Sequence, residues 1–266
     1  LTAHFRDPKI FERNGKYYFV IGAQTKDLKG RALLYSSENF EKWNYEGEIK
    51  TSYDDFGYIW ECPALLNIEG KDVLIFSPQG LEREEFRYQN IYQAGYIVGE
   101  LNFETLEFKH GEFLEFDRGF DFYAPQTTKS DDGRNILIGW MGLPEIEYPT
   151  DENGWAHCLT IPRELTLHGD KLIQNPIREL ESLRKNKRSE SYALDNEEVG
   201  IEGFNEKVYE VECDFRNISG TSVGIKLRKG KDEETVFYYD IKDNKLVLDR
   251  SKSGKDFAVE YGRERK

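Results

Sequence analysis

Three times in this chain a proline opens an apolar strand, a glycine turn follows, and a second apolar strand runs on to another glycine. The copies extend from Pro8 to Gly22, Pro63 to Gly80 and Pro125 to Gly142, and Gly15, Gly70 and Gly133 fall 7, 7 and 8 residues after their prolines. The prolines are spaced by 55 and then 62 residues, too far for a helical solenoid unit and about right for four-stranded propeller blades. The later part of the unit repeats as well. Phe40-Glu41-Lys42-Trp43-Asn44-Tyr45-Glu46-Gly47 aligns with Phe103-Glu104-Thr105-Leu106-Glu107-Phe108-Lys109-His110, 63 residues on. An all-β chain is expected, with a partial β-propeller at its start. Three blades do not close a ring, which takes four to eight, so further N-terminal blades are expected outside these residues.

Beyond the third copy, Leu159 to Leu167 and Leu172 to Gln174 read as two more strands around the Gly169-Asp170 turn. At Asn175-Pro176 the pattern changes: Pro176 stands where a helix starts, and Ile177, Leu180 and Leu183 follow at helical spacing before the basic run Arg184 to Arg188, the mark of a linker helix or helical turn. Val208 to Phe215, Ser222 to Leu227, Thr235 to Ile241 and Lys245 to Asp249 then alternate as strands between turn residues, which predicts a small antiparallel β-sandwich. The charged run Arg263 to Lys266 adds no closing strand. The expected division is a catalytic propeller region over 1–175, a linker over 176–192 and part of a sandwich over 193–266.

Composition narrows the partners. A net charge of −13 disfavours nucleic acid and anionic membranes, both of which need a basic face, and leaves a neutral small molecule as the better fit. Aromatic residues make up 14% of the chain, which suits strands and also platforms for sugar rings. No apolar run approaches the roughly 18 residues that span a bilayer. Cys62, Cys158 and Cys213 are odd in number and widely separated, so a disulfide framework is not expected and a reducing, cytoplasmic compartment is. The four histidines, His4, His110, His157 and His168, are scattered. No metal or other cofactor is expected.

In a propeller the innermost strands begin at the central axis, so equivalent positions of different blades converge there. Just ahead of the three prolines lie Arg6-Asp7, Glu61-Cys62 and Asp121-Phe122-Tyr123-Ala124, which brings three carboxylates to one funnel. Glycoside hydrolysis needs one carboxyl group that keeps a proton and another that stays ionised. Glu61, between Trp60 and Cys62-Pro63, has the partly apolar setting expected of a general acid. Asp7, beside the Arg6 guanidinium, is expected to remain charged. Asp121 is placed to bond sugar hydroxyls, with Tyr123 and Trp140 as walls. Each of these residues also has a plain structural reading, as a solvated glutamate, a strand-start ion pair or core aromatics. It is their equivalence within the repeat that favours function.

Phe5-Arg6-Asp7-Pro8, Trp60-Glu61-Cys62-Pro63 and Asp121-Phe122-Tyr123-Ala124-Pro125-Gln126 resemble the signature segments of glycoside hydrolase family 32, the β-fructofuranosidases or invertases. Ile138-Gly139-Trp140-Met141, Ile161-Pro162-Arg163-Glu164-Leu165 and Leu248-Asp249-Arg250-Ser251-Lys252-Ser253-Gly254 fit in the same order. Ser77-Pro78-Gln79-Gly80 and Tyr92-Gln93-Ala94-Gly95-Tyr96 resemble its bacterial sucrose-6-phosphate hydrolase branch. The resemblance implies a five-bladed propeller joined to a β-sandwich, and retaining hydrolysis of a terminal β-D-fructofuranosyl bond. It implies Glu61 as acid/base, Asp7 as transition-state stabiliser rather than nucleophile, and Arg6, Asp121 and Tyr123 in substrate-contacting segments. The family's nucleophile is the aspartate of an Asn-Asp-Pro-Asn-Gly segment, which this sequence does not contain. The 266 residues alone are therefore expected not to turn over. Two alternatives stay open: a non-catalytic fructoside-binding propeller, and an inverting arabinanase-like five-bladed glycosidase, which the Glu-Cys-Pro and Asp-Arg-Ser-Lys-Ser-Gly segments disfavour.

Overall fold

The computed structural model describes residues 1–256. The expected sandwich range 193–266 extends beyond them, and Arg263 to Lys266 lies outside the described residues. Each proline segment opens an antiparallel sheet. The first sheet is β1 (Phe5–Arg13), β2 (Lys16–Gln24), β3 (Gly30–Ser37) and β4 (Asn44–Glu48), paired in that order. The second runs β5 (Ile59–Ile68), β6 (Lys71–Gln79), β7 (Gly95–Leu101) and β8 (Phe108–His110), with β9 (Leu114–Glu115) also against β7. The third pairs β10 (Tyr123–Lys129), β11 (Asn135–Met141), β13 (Arg163–His168) and β14 (Lys171–Pro176), and β12 (Cys158–Leu159) joins β11. The repeated Phe40 and Phe103 segments thus lead into the fourth strands, β4 and β8. The turns after β1 and β5, Asn14-Gly15 and Glu69-Gly70, have φ of 54° and 75°, and 51° and 85°. Positive φ at both central residues is what a two-residue hairpin matched to strand twist requires.

The blades stack face to face. Val20, Ala32 and Leu34 of the first meet Trp60, Leu65, Leu74 and Phe76 of the second in one buried cluster. Ala64, Val73, Ile75 and Val98 on the other face of the second meet Phe122, Leu137, Leu165 and Leu172 in another. Approach is close enough to dictate glycine: a Cβ on Gly22 would stand 2.0 Å from the Trp60 carbonyl oxygen. A buried carboxylate ties the first two blades at their rim. Asp72 accepts from Arg13 at 2.6 Å, Asn67 at 3.0 Å and the Leu101 N–H at 2.9 Å. The far face of the first blade carries the aromatic stack Phe19, Tyr35, Trp43 and Tyr45, with Tyr45 exposed.

One feature recurs in all three inner strands at the same place. Asp7, Cys62 and Ala124, each directly before the proline, have φ of 63°, 47° and 45°, and the register of each inner strand slips there, between Arg6 and Lys9, Glu61 and Ala64, and Tyr123 and Gln126. Residues before proline normally stay extended, so these are bulges held in the left-handed region by their surroundings. The bulge also leaves the proline out of the ladder, which its missing N–H requires.

Among the described residues, contacts divide the chain into Leu1–Arg178 and Glu179–Asp256. A 3-10 turn spans Arg178–Leu183. The second unit holds one sheet, β15 (Ser222–Leu227), β16 (Glu234–Asp240) and β17 (Lys245–Lys252). The strand expected over Val208 to Phe215 is not formed. Among the described residues no strand lies beside it to pair with, and Val208 is 92% exposed. No helix of the described chain is long and apolar enough to cross a membrane.

Candidate active site

The three bulges gather the residues ahead of the prolines. Arg6 Nη1 lies 3.0 Å from Glu61 Oε1, and the Tyr123 hydroxyl donates to Glu61 Oε2 at 2.7 Å. Asp7 joins through the backbone: its Oδ2 accepts the Cys62 N–H at 3.0 Å and the Cys62 Sγ–H at 3.6 Å. The two candidate carboxylates are therefore held at consecutive positions of β5, Glu61 by its own side chain and Asp7 by the next residue's N–H. In a regular strand Arg6 and Asp7 would point to opposite faces; the bulge at Asp7 re-aims them. The expected pairing of Arg6 with Asp7 is replaced accordingly, because the guanidinium turns to Glu61 and to the neighbouring His4 ring.

The setting of Glu61 also differs from expectation. Trp60 does not make it apolar. Alternation along β5 sends the indole to the opposite face, where it stacks on Phe76 at 4.2 Å and is fully buried. Glu61 instead receives donors from Arg6, Tyr123 and a residue not singled out for chemistry: Gln79 Nε2 lies 2.9 Å from Oε2. Gln79 stands at the end of β6, paired with Ile59. The antiparallel hairpin brings the end of each second strand beside the start of its first, so the residue ahead of Gly80 was open to identification from the repeat itself.

Burial, then the nearby Glu61 charge, raises the Tyr123 hydroxyl pKa far above its ordinary value, so it remains a donor to the carboxylate. The Cys62 thiol is pushed up to about 12, first by burial and then by the Asp7 and Glu61 charges. It stays a neutral thiol beside Asp7.

Asp121 and Trp140 form an adjoining group. Asp121 is buried and its Oδ2 accepts the Tyr148 hydroxyl at 2.6 Å. Tyr148 meets the His157 ring at 4.8 Å, His157 meets Trp140 at 4.9 Å, and Trp140 meets Tyr123 at 6.5 Å. Tyr148 and His157, neither picked out from the sequence for chemistry, link Asp121 to the Glu61 cluster. Tyr92 lies 5.4 Å from Tyr123 and donates to Glu145. Among the described residues no group of three or more His, Cys, Asp or Glu side chains is placed to hold a metal ion.

Two carboxyl groups are thus fixed at adjacent positions of β5, one by three side-chain donors and the other by a backbone N–H. Residues 1–176 match the glycosyl hydrolases family 32 N-terminal domain, and 179–265 match the glycosyl hydrolases family 32 C-terminal model. A sucrose-6-phosphate hydrolase of Staphylococcus xylosus is 46% identical over 95% of this chain and 51% of its own length. The structure of a sucrose-6-phosphate hydrolase from Lactobacillus gasseri aligns with TM-score 0.80 at 30% identity, over 98% of this chain and 54% of that one. A Bombyx mori GH32 β-fructofuranosidase, solved as a mutant in complex with sucrose, aligns with TM-score 0.65 at 44% identity, over 69% of this chain and 39% of that one. The chain spans about half the length of the curated relatives it matches.

Proposed function

The chain belongs to glycoside hydrolase family 32, with that family's blades followed by its β-sandwich region, and from this premise we propose that it carries the acid/base half of an enzyme that hydrolyses sucrose or sucrose 6-phosphate. The bond cut is the terminal β-D-fructofuranosyl bond, with retention. Glu61 gives a proton to the leaving oxygen as the bond to the fructosyl carbon breaks, and later takes one from the attacking water. Asp7, fixed by the Cys62 N–H, hydrogen-bonds the fructosyl hydroxyls as charge develops. Asp121 and Tyr123 complete the sugar contacts, with Trp140 as a wall. The observation that carries the reading is the meeting of Asp7, Glu61 and Tyr123 at the starts of three inner strands, through the Cys62 N–H and the Tyr123 hydroxyl.

A retaining mechanism needs a nucleophile that forms and then loses a covalent fructosyl ester. These residues contain no Asn-Asp-Pro-Asn-Gly segment, so we place the nucleophile on a segment outside them, with the propeller region at 1–175, the linker at 176–192 and the sandwich from 193 on. Three free cysteines support a reducing cytoplasmic location.

The test joins an N-terminal segment bearing that aspartate to this chain and follows fructose release from both sugars. Release is expected from the joined protein and not from the 266 residues alone, with the β-anomer formed first by NMR. An inert joined protein that still binds fructosides would favour the non-catalytic reading, and an initial α-anomer would indicate inversion.

A further inference from the structure

Ser77-Pro78-Gln79-Gly80 has no step in the mechanism above, yet Gln79 has contacts on every side of its amide. Its Nε2 lies 2.9 Å from Glu61 Oε2 and 2.9 Å from the Tyr123 hydroxyl oxygen, and its Oε1 accepts the Tyr58 hydroxyl at 2.7 Å. An amide has two N–H donors at one end and a carbonyl at the other, and its partners decide which end points where. Tyr58 donating to Oε1 leaves both N–H groups for Glu61 and Tyr123. Tyr58 is in turn placed by the backbone around it. Its N–H donates to the Gln79 carbonyl at 2.8 Å. At Gly80, with φ of +88°, a Cβ would stand 2.5 Å from the Tyr58 ring.

A carboxylate oxygen offers about two lone-pair positions. Oε2 of Glu61 uses both, for the Tyr123 hydroxyl at 2.7 Å and the Gln79 amide at 2.9 Å. Among the described residues, Oε1 takes one donor, Arg6 at 3.0 Å. We propose that Gln79, oriented by Tyr58, is a positioning residue that saturates Glu61 Oε2 together with Tyr123, so that Oε1 is the oxygen that carries the proton to the leaving group. In that step the Oε1–H bond breaks, its electron pair stays on the carboxylate, and the proton goes to the glycosidic oxygen as its bond to the fructosyl carbon breaks. The inference rests on Glu61 being the acid and names which of its two oxygens acts.

A leaving group that departs without a proton separates this role from a purely structural one. In the joined protein, kcat/KM is measured on sucrose and on a nitrophenyl β-fructofuranoside, for Gln79→Leu and for Tyr58→Phe, which keeps the ring and removes only the hydroxyl. General acid catalysis contributes about 100-fold to 10,000-fold, so partial loss of its alignment is expected to cost Gln79→Leu about 30-fold on sucrose and Tyr58→Phe about fivefold. Both variants are expected to lose under about threefold on the aryl fructoside, because nitrophenolate needs no proton to leave. Equal losses on the two substrates, or none on either, would overturn the positioning role. A parent joined protein inert on both substrates would instead overturn the proposed hydrolase function, and this inference with it.

Discussion

In the second blade both faces of the sheet are covered, by the first blade on one side and the third on the other, and Trp60, Val73, Leu74, Ile75 and Phe76 have no exposed surface. In the sheet of the second unit no described residue from 179 to 256 is buried, although Ser222–Leu227 alternates as cleanly as any blade strand. Alternation in a sequence states which side of a strand is apolar; only a facing layer converts it into stability. The stacked layers at the blades also provide the rigid backing from which three strained bulges aim Arg6, Glu61 and Tyr123. The second unit, among its described residues, has no such facing layers.

Matched aromatic truncations put this contrast at risk most directly. Phe76→Ala removes a fully buried ring stacked on Trp60 and is expected to destabilise the first unit by about 3–5 kcal/mol. Phe237→Ala removes a ring that is 39% exposed on β16, and is expected to leave the first unit unchanged. All four tryptophans, at 43, 60, 140 and 155, lie in the first unit. Denaturant unfolding followed by tryptophan fluorescence therefore reads that unit alone, and equal shifts from the two variants would end the comparison. A smaller effect is expected at the rim. Asp72→Ala strands the Arg13 guanidinium, but Arg13 keeps a third of its side chain exposed, so a loss of about 2–3 kcal/mol is expected in place of the larger cost of a fully buried broken pair.

The smallest effect is chemical rather than energetic. With its thiol pushed up to about 12 by burial and by the Asp7 and Glu61 charges, Cys62 is raised above its unfolded value, so it holds its proton in the folded chain across pH 7 to 9. The thiolate is the reactive form. Iodoacetamide at pH 8 is expected to label the exposed Cys158 and Cys213 and to spare Cys62 until the chain is unfolded. Mass spectrometry of the intact protein counts the additions, and three rapid additions would mean that Asp7 and Cys62 are not packed together as described.

Much of the blade architecture was legible because proline and glycine mark strand starts and turns at nearly constant spacing, and each mark has a backbone cause. The convergence of the segments ahead of the prolines followed from the same repeat, although of the three carboxylates expected to meet there Asp121 is held by Tyr148 in an adjoining group. What was not legible is what happens between neighbours. Nothing in the residue types of Asp7, Cys62 or Ala124 announces a left-handed φ before proline, so Arg6 was expected against Asp7 and is found on Glu61. Trp60 was counted as part of the acid's surroundings because it adjoins Glu61 in sequence, whereas alternation places it on the other face. Gln79 stood inside a recognisable segment with no chemistry attached to it, and only the register of β5 with β6 shows it at the carboxylate. Val208 to Phe215 had the pattern of a strand without, among the described residues, a neighbour to complete it.

The central claim is that the inner ends of the blades hold Glu61 as a proton donor and acceptor. It is tested most directly by comparing Glu61→Gln with the parent in the joined protein, measuring kcat on sucrose together with fructoside affinity by calorimetry. The amide keeps the size of the side chain and removes its exchangeable acid proton, so turnover is expected to fall about 100-fold or more while affinity changes by less than about threefold. Unchanged turnover, or a loss explained entirely by weaker binding, would contradict the account.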